Sequence, residues 1–292
     1  MKRSALNAIF VPALLCAAFG AAAFSWPTSG LDSSKSVFTF SQNRKGRFCQ
    51  SLLFEGAQDA KAADKGKIIA VIGERPGDGD WFEPALGNAL IVRHEDSLIS
   101  VYGNLSKESA SALSKKRHVE DEEALGQTGT SAWSESGEEG GLEFQIADCA
   151  SRTFINPMIL MPRTIKPPKI ALDGLAIENQ FGRIYNLSSL RSVPAGVYKV
   201  YKKRQKDVNV YKSEVYVNGS ELEKITKETI RMEDGRLALR GQRTYTSKDF
   251  YPNDELEFLG RVLLPHGSDT ITIVAANIYD GSTTANFSLS AF

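Results

Sequence analysis

Short runs in which apolar and polar side chains alternate recur along nearly the whole of this 292-residue chain, with turn residues between them. A period of two sends one face of an extended segment to a core and the other to water, so such runs predict β-strands. In the first half they are VFTF (37–40), SLLF (51–54), KIIAVIG (67–73), ALIVRH (89–94), SLISVYG (97–103) and LEFQIAD (142–148). ALIVRH and SLISVYG are joined by Glu95-Asp96, which predicts a hairpin. Between 106 and 124 the alternation stops. The charged run KKRHVEDEE there predicts a solvated loop or short helix.

PRTIKPPK (162–169) puts three prolines into a short connection, where a central strand cannot pass. The domain boundary is therefore expected here, with residues 24–162 as one unit, 163–169 as a linker and 170–292 as a second unit. The second block holds GVYKVYKK, VNVYKSEVYVNG, RLALRGQ, LEFLGRVLL, TITIVAANIYD and ANFSLSAF. Asn218-Gly219, Asp234-Gly235 and Asp280-Gly281 are among turn signals that recur roughly every ten residues, a rhythm that predicts an immunoglobulin-like β-sandwich. The fold class expected for the whole is all-β.

Lys and Arg total 35 and Asp and Glu total 35, so no basic surplus points to nucleic acid. MKRSALNAIFVPALLCAAFGAAAFSW opens with positive charge, then an apolar run, then small residues. That is the pattern of a secretory signal peptide over 1–23, with Ala21-Ala22-Ala23 as the cleavage site and Phe24 as the first mature residue. Cys16 raises a lipoprotein alternative, but the preceding Leu15 is too large for it. No other stretch approaches the roughly 18 apolar residues a membrane span needs. The mature chain is expected to be exported, periplasmic or associated with the cell envelope.

Four segments together resemble the lysostaphin/LytM-type zinc peptidases that cut peptidoglycan cross-bridges. WPTSG (26–30) is similar to the family's opening strand, and FSQNRKGRFCQSLLF (40–54) to its H-x-G-x-D segment. KGKIIAVIGE (65–74) with GNALIVRHEDSLISVYGNLSK (87–107) is similar to the central hairpin. GQTGTSAWSESGEEGGLEFQIADCASRTFINPMILMP (126–162) is similar to the glycine turn, the H-x-H strand and the closing N-P segment. The resemblance implies an antiparallel β fold with an open groove. On the groove floor the family holds a zinc that activates water for amide hydrolysis.

Carried over one at a time, none of the family's functional residues is present. The first metal histidine falls on Cys49, the metal aspartate on Leu53, the hairpin histidine on Asn104, and the two histidines of H-x-H on Gly141 and Glu143. These five are the degenerate-site positions expected to line the groove. An alternative register would bring in Asp59 or Asp64. The chain has three histidines, His94, His118 and His266, each expected at the surface or in a turn, and none in H-x-H or H-x-x-x-H spacing. No catalytic residue, no metal ligand set and no cofactor is therefore expected. Export would permit a Cys49–Cys149 bridge. In the family's arrangement, however, Cys49 lies near Glu143, and Cys149 is six residues on, roughly 20 Å along an extended strand. A disulfide needs about 7 Å.

Three functions stay open. One is an inactive peptidase-like domain that binds peptidoglycan or regulates a wall hydrolase. Another is an active enzyme with an atypical site, using Cys49 or the carboxylates Glu138, Glu139 and Glu143. The last is a structural or ligand-binding envelope protein. Tyr198, Tyr201, Tyr211 and Tyr216 are expected as core or cross-strand residues. The basic run VYKKRQKD (200–207) is expected as a solvated hairpin, with anionic wall polymer or lipid as the alternative contact.

Overall fold

The computed structural model describes residues 24–29, 36–38, 40–56, 58–73, 85–132, 141–163, 169–205 and 208–292. The expected signal peptide, the acidic pair Glu138 and Glu139 and most of the linker lie outside them. The architecture is all-β and almost entirely antiparallel, as the alternating runs require. Among the described residues no helix is long and apolar enough to cross a membrane.

The first body is organised on the strand Gly141–Asp148. Along one side it pairs with Leu98–Gly103 over six residues. That strand pairs with Ala89–Arg93 in the expected hairpin, and Ala89–Arg93 pairs in turn with Gly66–Ile72. Along its other side the central strand has two neighbours in succession. Gly141 through Phe144 pair with Leu52–Glu55, and Ile146 through Asp148 pair with Thr153–Ile155. The sheet forks at Gln145. Leu142, Phe144 and Ile146 all point into the core, where they meet Leu52, Phe54, Leu90 and Tyr102. WPTSG forms no strand among the described residues. It is a strap, tied by one bridge from Thr28 to Ala60 and by the Trp26 indole donating to Pro162 O at 3.1 Å.

The second body is a two-sheet sandwich. One sheet runs Ile184–Asn186, Ala176–Asn179, Gly196–Lys203, Leu256–Leu264. The other runs Ser192–Val193, Ser282–Ala291, Gly267–Ala276, Lys212–Val217, Ser220–Thr226. Ser192–Val193 lies parallel to Ser282–Ala291 at the edge of this sheet. Ile177, Val200, Val215, Val262, Ile271 and Ile273 fill the space between the sheets.

The bodies are not beads on a linker. Between Ser220–Thr226 and Leu256–Leu264 the chain leaves the sandwich and makes Thr229–Glu233, Arg236–Arg240 and Thr244–Thr246, then a one-turn helix, Ser247–Phe250. Asp234 and Gly235, at φ 48° and 74°, make the two-residue turn between the first two of these strands. Thr229–Glu233 pairs with Thr153–Ile155, so the excursion extends the first body's sheet. RLALRGQ is thus a strand, but outside the sandwich where its sequence neighbourhood suggested it belonged.

A third core seals this junction. Phe40 and Phe48 come from the first block, and Tyr201, Tyr245, Phe250 and Phe258 from the second. Phe250 stands edge-on to Phe48 at 5.5 Å and to Phe258 at 5.4 Å, geometries worth about 0.5–1.5 kcal/mol each beyond area burial. Polar ties cross the same boundary. Asn209 Nδ2 donates to Phe40 O at 2.6 Å, and Tyr251 Oη donates to Ser41 O at 3.1 Å.

Two expectations fail here. Lys202, in the run expected to be solvated, has no exposed surface. Its ammonium donates to Lys203 O at 2.8 Å and stands 3.5 Å from Glu257. It shares a strand face with Tyr198 and Val200, which line the core between the two sheets, so alternation carries it inside. His94 is also buried, although it sits beside a turn as expected. Its Nδ1 lies 2.8 Å from Lys65 O and its Nε2 2.7 Å from Ser100 Oγ, and Phe24 packs edge-on to the ring at 5.0 Å. Tyr102 continues the chain, 3.2 Å from Ser100 Oγ and accepting from Ala63 N, with its hydroxyl pushed up to about 12 by burial. His118 and His266 are exposed.

Lys227 completes the buried junction. It donates to Asn209 Oδ1 and Glu257 Oε1, both at 2.8 Å. Burial lowers the Lys202 ammonium's pKa; at Lys227 burial acts the same way, but Glu257 and Tyr251 together outweigh it and the pKa is raised. Two cations share one carboxylate, which fixes an order of mutational effects. Removing Glu257 strands two buried charges, whereas removing Lys227 leaves a neutral Lys202–Glu257 pair. Glu257→Gln is expected to cost about 3–5 kcal/mol and Lys227→Met distinctly less, measured by urea unfolding. The reverse order would show that packing, not charge count, governs the site.

Candidate functional site

The fork at Gln145 opens a groove. Where Leu52–Glu55 leaves the central strand and Thr153–Ile155 takes over on the same flank, the segment 44–51 forms one wall and Leu237 of the excursion another. The cavity measures about 610 Å³. Ala85 and Leu86 close one end, and Glu143 and Gln145 form the floor.

The floor is a closed polar lattice. The Ser51 hydroxyl donates to Glu143 Oε1 at 2.5 Å, and Gln145 Nε2 donates to the same oxygen at 3.1 Å and to Ser51 Oγ at 3.0 Å. Arg44 donates to Glu143 Oε2 at 3.1 Å. Buried carboxylates need such partners, and this one has three. Cys49 Sγ donates to Ser51 O at 3.4 Å. Burial, helped by the nearby Glu143 charge, leaves the thiol pushed up to about 11, against the opposing backbone hydrogen bond to Ser51.

Of the five degenerate-site positions, the groove gathers Cys49 and Glu143 and leaves out Leu53, Asn104 and Gly141. Leu53 pairs directly with Glu143 across the ladder, half-buried and outside the lining. Asn104 turns inward: Nδ2 donates to Gly141 O at 2.8 Å, and Oδ1 accepts from Ala132 N at 2.9 Å. Gly141 has no side chain to offer. A Cβ there would stand 2.3 Å from Phe54 O, closer than any side chain can approach a backbone carbonyl. Asp59 and Asp64, the alternative carboxylates, are also absent from the lining, and Asp64 lies 3.8 Å from His94 instead.

These residues do not fit a zinc. Leu53 has no donor atom, both ends of Asn104 are engaged, the Glu143 carboxylate is held by three partners, and the Cys49 thiol resists ionisation. Metal binding needs deprotonated ligands with free lone pairs. Among the described residues no group of three or more His, Cys, Asp and Glu is placed to hold a metal ion. The two cysteines among the described residues are free, Cys49 buried and Cys149 exposed, as the strand arithmetic anticipated.

Arg44, Gln50, Ser51, Gln145 and Leu237 were missed as groove residues. Arg44 could have been read from NRKGRF, where Lys45-Gly46 marks a two-residue turn between basic positions. Leu237 had no local signal, because it arrives from the excursion. Among the tyrosines, Tyr198 and Tyr201 are core, while Tyr211 and Tyr216 are half-buried and donate to Glu228 and Glu214.

Fold and site together define an all-β protein in which a sheet body with a polar groove is extended by strands that leave a two-sheet β-sandwich. The chain is similar to an uncharacterized protein of Treponema pallidum (strain Nichols), 33% identical over 140 residues that make up 44% of this chain and 92% of that protein, and it belongs to that protein's family. A family model matches residues 169–292. Among solved structures it is similar to the SpoIIQ-SpoIIIAH pore forming complex, at 18% identity and TM-score 0.36, covering 48% of this chain and 91% of that one. It is also similar to the catalytic domain of the prophage-encoded protein EnpA from Enterococcus faecalis, at 16% identity and TM-score 0.31, covering 45% and 95%.

Two outcomes test the site. With a thiol reagent at pH 8, the mature chain is expected to show one fast thiol, Cys149, while Cys49 reacts only on unfolding. Equal rates would place Cys49 in an open, ionisable position. Gly141→Ala is expected to destabilise by about 1–3 kcal/mol, read from the urea midpoint, because the Phe54 carbonyl must move.

Proposed function

We propose that this chain is an exported cell-envelope protein whose first body is a peptidase-like domain without a working metal site, and that its groove binds peptidoglycan or docks a wall hydrolase. The resemblance of the four N-terminal segments to the lysostaphin/LytM-type peptidases supplies the first half of this reading. The observation that carries the lack of a working metal site is position 141. The backbone there leaves no space for the histidine that the family's chemistry needs. The engaged Glu143 carboxylate supports the same conclusion two residues on. Catalysis through Cys49 is disfavoured as well, since a nucleophilic cysteine needs a base or cation that stabilises thiolate, and this thiol is shifted the other way.

The test uses the mature chain from Phe24 with purified peptidoglycan. The chain is expected to sediment with the wall, or to accelerate a co-added wall amidase, and to release no soluble fragments on its own with zinc present. Digestion of the wall by the chain alone would overturn the reading. So would the absence of both sedimentation and stimulation.

A further inference from the structure

We propose that Lys227 and Asn209 condense into an intramolecular amide bond, with Glu257 carrying the proton. The Lys227 ammonium donates to Asn209 Oδ1 and to Glu257 Oε1, both at 2.8 Å. Asn209 Cγ, the carbon bonded to that oxygen, is therefore beside the nitrogen that attacks it. Nucleophile, electrophile and proton acceptor are gathered in one place, as amide transfer requires.

The backbone fixes this meeting. Lys212–Val217 and Ser220–Thr226 form a hairpin whose open end is the pair Lys212 and Thr226. Asn209 lies just before one strand and Lys227 just after the other, and Lys227 N donates to Tyr211 O at 2.8 Å. The Asn209 amide has a second hold. Its Nδ2 donates to Phe40 O at 2.6 Å, which turns Oδ1 towards Lys227. Glu257 comes from the facing sheet, on Leu256–Leu264.

The site is dry at the reacting amine. Lys227 is 3% and Glu257 2% exposed, and the rings of Phe250 and Tyr251 stand 5.6 and 5.7 Å from the ammonium. Water is thus kept from competing with the amine for the amide carbon. Asn209 is only half-buried, which leaves the departing ammonia a route to solvent.

Burial opposes the charge on Lys227, but Glu257 and Tyr251 outweigh it, so at rest the group is a cation. The reaction begins when one proton passes to Glu257 along the 2.8 Å hydrogen bond. The freed amine lone pair forms the new bond to Asn209 Cγ, and the carbonyl π pair moves onto Oδ1. As that pair returns, the bond from Cγ to Nδ2 breaks. Nδ2 leaves with its electron pair and takes the proton from Glu257, and the ammonia so formed collects the second proton of the attacking nitrogen. One ammonium and one carboxamide become one substituted amide and one ammonium ion, with no oxidant or reductant.

Charge supplies the direction. Lys202, with no exposed surface, stands 3.5 Å from the same carboxylate, so two buried cations share Glu257. Uncompensated buried charge is costly. The condensation sends one positive charge into water and leaves Lys202 and Glu257 as a neutral pair. Before the bond forms, Glu257 answers two cations; after it, one. The product is a staple across the hairpin where the chain departs for the excursion, and it locks the side chain that grips Phe40 of the first body.

The test is the intact mass of the whole mature chain after folding, followed by trypsin digestion and fragment sequencing. The chain is expected to weigh one ammonia less than its sequence. One branched peptide is expected to join residues 207–212 to 225–231, because an acylated Lys227 is no longer cleaved. Asn209→Ala and Lys227→Arg are each expected to show the full mass and no branched peptide. Glu257→Gln, where near-ultraviolet circular dichroism shows it folded, is expected to keep the full mass as well. Full mass in the folded wild-type chain would overturn the proposal. So would an ammonia loss confined to Asn218-Gly219, where a cyclised asparagine has the same mass change. Bond formation in folded Glu257→Gln would overturn the part given to the carboxylate.

Discussion

The structure depends on one strand having three hydrogen-bonded neighbours. Gly141–Asp148 holds Leu98–Gly103 along one flank and divides the other between Leu52–Glu55 and Thr153–Ile155. Its inward side chains, Leu142, Phe144 and Ile146, fix the register, since a slip of one residue would exchange them for Glu143 and Gln145. The division of the flank forces the two neighbours apart. The gap between them is the groove, and the residues that alternation turns away from the core, Glu143 and Gln145, become its floor. Core and site are thus the two faces of a single eight-residue segment.

The polar lattice on that floor explains how a buried carboxylate is held there. A carboxylate this deeply placed is costly unless its oxygens are occupied. Ser51, Gln145 and Arg44 occupy them at 2.5–3.1 Å. The same contacts that make Glu143 tolerable occupy the oxygens a metal would need. Gly141 adds a backbone reason, because the close approach of the Phe54 carbonyl is part of the pairing itself.

Local pattern revealed local structure. The strands 89–93, 98–103, 141–148, 196–203 and 256–264 lie where alternation placed them, and the hairpin turns at Asn218-Gly219 and Asp234-Gly235 are present. The reading failed where a residue's surroundings arrive from far along the chain. Lys202 looked solvated because the partner that lets it be buried, Glu257, lies far along the chain. His94 looked like a turn residue because its partners, Lys65 and Phe24, lie on other segments. Asn104 and Gly141 were expected at the groove because a family pattern marks those positions. The outcome depended on where one amide points and how close one carbonyl comes, and neither is written in a motif.

The strand borrowed from the second body has a consequence for how this protein can be divided. Thr153–Ile155 would be a bare sheet margin if the chain stopped at the proline-rich connection, with its N–H and C=O groups presented to any passing strand. Phe40 and Phe48 would lose their aromatic cover at the same cut. The two halves look modular in sequence but are physically a single unit. A fragment ending near residue 162 would meet its missing neighbour in another copy of itself, through misassembly rather than folding.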